Sequence, residues 1–256
     1  MDLVLYSERD QVGIITLNNP DKRNALTIDM LKEIRKLLER IGEEKRVKVV
    51  IFRGEGKAFC SGHFYGDVLQ EGIKDVLDVF LECQKMFRTL REIPQVSIAA
   101  VHGVAAGAGC QLVAACELAV AEEGALFMTP GIKFGFFCST PSTLVSRNLP
   151  RKIMAEMLFT GEPIDAEKAL HFGLINRIAP KGRLMETALE LASLITRFSL
   201  NVIALGKRVY HSQYQMNDLE ALEYATNAIV VNARMEDAKE GIMSFLEKRE
   251  PVWKER

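Results

Sequence analysis

No excess of charge of either sign marks this 256-residue chain: 33 basic residues face 34 acidic ones, for a net charge of −1. That balance excludes bulk attraction to nucleic acid or to an anionic membrane surface. No apolar run approaches the ~20 residues that cross a bilayer, and the opening ten residues are charged where a signal peptide needs an apolar core. Cytoplasm or an organelle matrix is the expected compartment. The five cysteines, Cys60, Cys83, Cys110, Cys116 and Cys138, are odd in number and form no Cys-x-x-Cys pair. This argues against a metal centre or a disulfide framework and for buried free thiols. The chain also lacks an internal repeat and any Pro/Gly/Ser-rich linker.

What is present is 48% apolar and 26% charged, enough for one large core or two modest ones. Two small-residue turns stand out, Lys57-Ala-Phe-Cys-Ser-Gly-His63 and Gly103-Val-Ala-Ala-Gly-Ala-Gly-Cys-Gln111. Each follows an apolar run, Val47–Phe52 and Val96–Val101, so each ends a strand in a turn whose backbone N–H groups can face outward. Side by side, two such turns offer two donors to one oxygen, the arrangement that stabilises an enolate or oxyanion. The second turn carries no carboxylate to act as acid or base.

The order of elements predicts an α/β fold. Val12–Leu17 reads as a strand stopped by the polar run 18–24. Thr27 is an N-cap for a helix with apolar Met30, Leu31, Ile34, Leu37, Leu38 and Ile41. Further helices are expected over Val76–Leu90 and from about Cys110 to Cys116, with a short strand at Leu118–Ala121. Strands alternating with helices imply ββα or βαβ units in a layered core. Beyond Pro150 the pattern turns helical: Arg151–Phe159, Ala166–Phe172, Met185–Phe198, Ser199–His211 and Leu219–Val231. A core over 1–195 and a helical region over 196–256 is the expected partition. Apolar Leu219, Leu222, Ala225 and Ile229 suit burial against another subunit.

Five ordered motifs resemble the enoyl-CoA hydratase/isomerase (crotonase) family over nearly the whole length. They are Asn19-Pro-Asp-Lys-Arg-Asn-Ala-Leu26, Gly56-Lys-Ala-Phe-Cys-Ser-Gly-His63, Val101 to Gln111, Phe159 to Leu170 before Gly173-Leu-Ile-Asn176, and Glu236 to Arg249. The pair Gly-Cys-Gln-Leu and Phe-Cys-Ser-Thr-Pro is similar to the enoyl-CoA hydratase domain-containing type three subgroup. The resemblance implies a crotonase-like core of stacked ββα units, a C-terminal helical trimerisation region, and homotrimers or dimers of trimers. It implies acyl-CoA substrates of fatty acid metabolism, coenzyme A as part of the substrate, and no resident cofactor or metal. It places an oxyanion hole at the backbone N–H groups of His63 and Ala108. CoA contacts fall on Lys22, Arg23, Ala25, Ser61, Gly62, His63, Phe64, Ala108 and Gly109, with Phe245 and Lys248 reaching CoA across a subunit boundary.

The chain departs from the family at the acids. Hydratases use two glutamates to activate water and deliver a proton; the corresponding positions here are Gln111 and Gly131. The acid of many isomerases falls near Ser139. Gln111 is expected to hold its turn by hydrogen bonds, Cys138 to be packing rather than a nucleophile, and Asp67 to cap the helix beyond it. Of the four histidines, only His63 lies inside a candidate site turn, and imidazole titrates near neutral pH. Three readings result: an enzyme on an acyl-CoA, decarboxylation of a malonyl-type CoA through His63 included; a silent CoA-thioester binder; and an oligomerisation module without ligand.

Overall fold

The computed structural model describes residues 2–70 and 72–254; Met1, Glu71, Glu255 and Arg256 lie outside the described residues. Its strands are β1 (Val4–Arg9), β2 (Val12–Leu17), β3 (Val49–Gly54), β4 (Val96–Val101), β5 (Val104–Ala106), β6 (Leu118–Glu122), β7 (Leu126–Met128), β8 (Ile164–Asp165) and β9 (Arg177–Ala179). Its helices are α1 (Ile28–Glu44), α2 (Tyr65–Val68), α3 (Ile73–Glu92), α4 (Ala108–Ala115), α5 (Ser139–Val145), α6 (Arg151–Thr160), α7 (Ala166–His171), α8 (Leu184–Thr196), α9 (Leu200–Gln213), α10 (Asp218–Arg234) and α11 (Glu236–Glu247).

Six strands form the main sheet in the order β1-β2-β3-β4-β6-β9, parallel except for the antiparallel β1–β2 pair. Both faces of its centre are buried, which is why Val49-Val-Ile-Phe52 is a continuous apolar run rather than an alternation. Successive side chains still part to opposite faces. Val50, Phe52, Ala99 and Val101 pack with α1, α3 and α4, whereas Val49, Ile51, Ile98 and Ala100 pack under α8. The stripe Met30, Leu31, Ile34, Leu38 and Ile41 is the buried face of α1, and Thr27 caps it by accepting the Met30 N–H at 3.1 Å. The acidic cap of α1 was not foreseen: Asp67 Oδ2 accepts the Ile28 N–H at 2.8 Å, so Asp67 serves the earlier helix and not the one beyond it.

A second, small sheet, β5-β7-β8, escapes a reading by periodicity because its strands are two or three residues long. The chain enters it at Gly103, whose φ of +60° and whose approach to Lys57 leave no room for a side chain: an added Cβ would lie 2.2 Å from the Lys57 carbonyl. That crossing sets β5 beside the first turn. Cys60 donates to the Val104 carbonyl, and Ala106 donates back to Cys60.

Polar contacts tie the C-terminal helices to the rest of the chain. Lys207 Nζ donates to the Leu90 and Gln95 carbonyls, Ser199 Oγ to Asp237, and Trp253 Nε1 to the Arg197 carbonyl. No residue of α10 is buried, and Leu219, Leu222 and Phe245 are among the most exposed apolar side chains. No single helix among the described residues is long and apolar enough to cross a membrane.

Candidate active site

Three segments far apart in sequence lie side by side at the ends of the central strands. Leu26 N–H donates to the Gly62 carbonyl and Phe64 N–H to the Leu26 carbonyl, while Ser61 N–H donates to the Arg23 carbonyl. Asn24, fully buried with φ of +54°, fastens the first segment: its amide donates to the Glu55 and Ala58 carbonyls at 2.8 Å and accepts the Asn19 N–H. This brings Lys22, Arg23 and Ala25 against Ser61, Gly62 and His63. Lys22 Nζ lies 4.1 Å from the centre of the Phe64 ring, a cation–π contact at the exposed rim.

Across from this pair sits the N-terminus of α4. Gly107 precedes it with φ of +53°, and a Cβ built on Gly62 would come within 3.3 Å of the Ala108 nitrogen. Neither the His63 nor the Ala108 N–H has an acceptor among the described residues. Both residues line a cavity of about 340 Å³ together with Ser61, Gly107, Gly131 and Ser139. Two backbone donors without an acceptor among the described residues, on residues that line one cavity, can hold a developing oxyanion. The cavity is lined by no Asp or Glu.

The side chains foreseen from sequence fare unequally. The His63 ring packs edge-on against Phe80 at 4.9 Å, and its Nε2 is enclosed without a hydrogen-bond partner. Burial drives the imidazole pKa down to about 4, with Asp67 opposing weakly, so it does not titrate near neutral pH as the free side chain does. Gln111 does not hold its turn by hydrogen bonds: its Oε1 has no partner among the described residues, and it faces a different, larger cavity. Gly131 is excluded as a site for any side chain, because an added Cβ would lie 2.1 Å from the Phe136 carbonyl oxygen. Close packing imposes the glycine, since its φ is not positive. Cys138 Sγ accepts the Gly131 N–H at 3.3 Å, and burial raises its pKa, so it is a packed thiol. All five cysteines are buried and free. Phe245 and Lys248 are exposed on α11 and its C-terminal cap and do not line the cavity that His63 and Ala108 share.

Some of the site was missed. Phe80, from the middle of α3, and Tyr65, Phe136 and Phe137 wall the cavity. The run Phe134-Gly-Phe-Phe137 was the one local signal, since exposed aromatics in succession mark a binding wall. Among the described residues no group of three or more His, Cys, Asp or Glu side chains is placed to hold a metal.

The His63 shift has a consequence for stability. Its folded pKa of about 4 lies below the ordinary 6.5, so between these values the unfolded chain binds a proton that the folded chain does not. Stability is fully present above about pH 6.5 and falls as the pH drops toward 4. Urea unfolding at pH 7 and pH 4.5 should show the wild type losing about 2–3 kcal/mol more than His63→Gln. Equal losses would mean that the imidazole is solvated.

The enoyl-CoA hydratase/isomerase family profile matches residues 7–256. The rat enoyl-CoA hydratase domain-containing protein 3, mitochondrial, is 42% identical over 252 residues, 97% of this chain and 84% of the rat protein. The crystal structure of the human enoyl-CoA hydratase domain-containing protein 3 superposes with a TM-score of 0.95 at 39% identity, covering 98% of this chain and 100% of that one. An enoyl-CoA hydratase structure from Mycobacterium smegmatis gives a TM-score of 0.95 at 35% identity, with 99% of each chain covered. This chain therefore belongs to the enoyl-CoA hydratase/isomerase family and has the crotonase fold.

Proposed function

We propose that this protein binds an acyl-CoA thioester and stabilises its enolate with the backbone N–H groups of His63 and Ala108. The observation that carries the reading is that these two N–H groups have no acceptor among the described residues and that both residues line one cavity without a carboxylate. Lys22 and Arg23 sit where a phosphate or adenine of CoA can meet them beside the first turn. Hydration of a simple 2-enoyl-CoA is slow or absent, because each missing acid–base group is worth ~10²–10⁴-fold. The mitochondrial naming of the vertebrate relatives supports the organelle-matrix alternative for location. A panel of acyl-CoAs incubated with the protein and followed by mass spectrometry tests the reading. Turnover identifies an enzyme and its reaction, and tight binding without product identifies a silent binder. Absence of binding across the panel refutes the site.

A second reading is decarboxylation of a malonyl-type CoA, favoured by the absence of any Asp or Glu from the cavity that His63 and Ala108 line. Loss of CO2 leaves its electron pair in the thioester enolate, which needs the two N–H donors and no base to start. Malonyl-CoA and methylmalonyl-CoA belong in the panel for that reason.

The exposed apolar faces of α10 and α11 support a homotrimer or a dimer of trimers, in which Phe245 and Lys248 of one subunit reach the CoA of the next. Light scattering at micromolar concentration is expected to give a trimer or hexamer, and a stable monomer would refute this. Lys248→Glu is expected to weaken CoA binding at low salt and less so at high salt, where the charge is screened. Unchanged affinity at low salt removes Lys248 from the site.

A further inference from the structure

We infer that a second cavity, of about 780 Å³, receives the far end of the acyl chain and selects one that ends in a carboxylate; this rests on the thioester site proposed above. The two cavities share Phe80 and Thr140 as walls, so the larger one begins where the oxyanion cavity stops. Helix α4 is the common rail. Ala108 at its first turn supplies an oxyanion donor, and Gln111, Ala114 and Ala115 then line the larger cavity in succession. From Ala108 to Ala115 the helix rises about 10 Å, the reach of about eight extended carbon atoms at ordinary bond lengths. The two alanines leave width for a chain, and Leu77, Leu81 and Leu144 give it apolar walls. At the junction Gln111, 5% exposed, holds an amide oxygen with no partner, a cost that a ligand passing through can relieve.

The charges along this cavity decide what the chain ends in. Its one acidic residue, Glu117, is already occupied. Ser97 donates to it twice at 2.8 Å, His211 Nε2 lies 2.7 Å away and Lys207 Nζ 3.4 Å away. Burial opposes its ionisation, but these partners outweigh that and keep its pKa below the ordinary carboxylate value. Among the basic residues, Lys85 pairs with Glu82 and Arg88 with Glu92. Arg91 and Arg147 also line the cavity and have no carboxylate partner among the described residues. Among the described residues the only side-chain bond of Arg147 is from Nε to the Thr143 carbonyl, which leaves its terminal nitrogens to take a carboxylate in bidentate fashion. An apolar passage of eight-carbon reach whose walls also carry two guanidinium groups without a carboxylate partner among the described residues fits the mono-CoA ester of a medium-chain dicarboxylic acid better than a plain fatty acyl-CoA.

Calorimetric titration of the full chain with acetyl-CoA, octanoyl-CoA and suberyl-CoA tests this. Suberyl-CoA is expected to bind about tenfold more tightly than octanoyl-CoA, with the preference shrinking at high salt. In a protein carrying both Arg91→Gln and Arg147→Gln, folded by thermal unfolding, the ratio of the two affinities is expected to fall to near one. Ala114→Leu, which narrows the passage without touching a charge, is expected to weaken both eight-carbon esters. Equal wild-type affinities for octanoyl- and suberyl-CoA, a preference for octanoyl-CoA, or a preference that survives the double arginine change would each overturn the inference. Failure of all three esters to bind, acetyl-CoA included, instead overturns the thioester site on which it rests.

Discussion

Gly109→Ala is expected to abolish tight acyl-CoA binding and any turnover, while leaving every candidate side chain in place. The methyl group would lie 2.4 Å from the Cys60 carbonyl oxygen and 2.8 Å from the Cys60 Cβ. Cys60 cannot retreat, because its own N–H and carbonyl are bonded to β5. The first turn of α4 must therefore move away from the first turn of the site, and the Ala108 N–H moves with it. Loss of one oxyanion donor costs about 10²–10³-fold in rate, and overpacking a core contact adds about 1–3 kcal/mol of destabilisation. Thermal unfolding and calorimetric titration with acetyl-CoA check both parts. A folded Gly109→Ala protein with wild-type affinity would show that the Ala108 N–H is not a ligand donor.

Restoring the two family glutamates is expected to fail as a route to hydration, for different reasons at the two positions. Gly131→Glu places a Cβ 2.1 Å from the Phe136 carbonyl and 2.9 Å from Cys138 Sγ. Since Phe136 N–H is itself bonded to the Gly131 carbonyl, the turn cannot open without losing its own closure. A destabilisation of at least about 3 kcal/mol is expected, from overpacking together with a buried charge that has no partner. Gln111→Glu is expected to fold, but its carboxyl enters the large cavity at a buried position and finds no partner. Crotonyl-CoA hydration, followed spectrophotometrically, is expected to stay at the wild-type level in Gln111→Glu. A soluble double variant that hydrates well above wild type would overturn this account of Gly131.

Much of the frame was legible because it is written in local periods. The i, i+3, i+4 stripe from Met30 to Ile41 announced α1, the cap at Thr27 set its start, and apolar runs announced β2, β3 and β4. The edge strand β1 was not announced, since its outer face is solvated and its apolar residues, Val4, Leu5 and Tyr6, give way to Ser7, Glu8 and Arg9 without alternation. Helix α5 was hidden for a different reason: Ser139-Thr-Pro-Ser-Thr reads as a loop, and it is helical because it packs on α4. The two turns were visible as glycine-rich breaks, and the positive φ at Gly62, Gly103 and Gly107 explains why glycine stands there.

By itself, then, the sequence determined the alternation of strands and helices, the two donor turns, the absence of acids at the family positions and the family itself. These are properties of short stretches, governed by side-chain period and backbone freedom. The tertiary structure alone decided that burial depresses the His63 pKa, that Gln111 lines the larger cavity, that Gly131 admits no side chain, and that Glu117 is tied to His211, 94 residues away. Desolvation, close packing and the direction of a buried amide depend on which atoms from distant segments meet, and no local pattern carries that information.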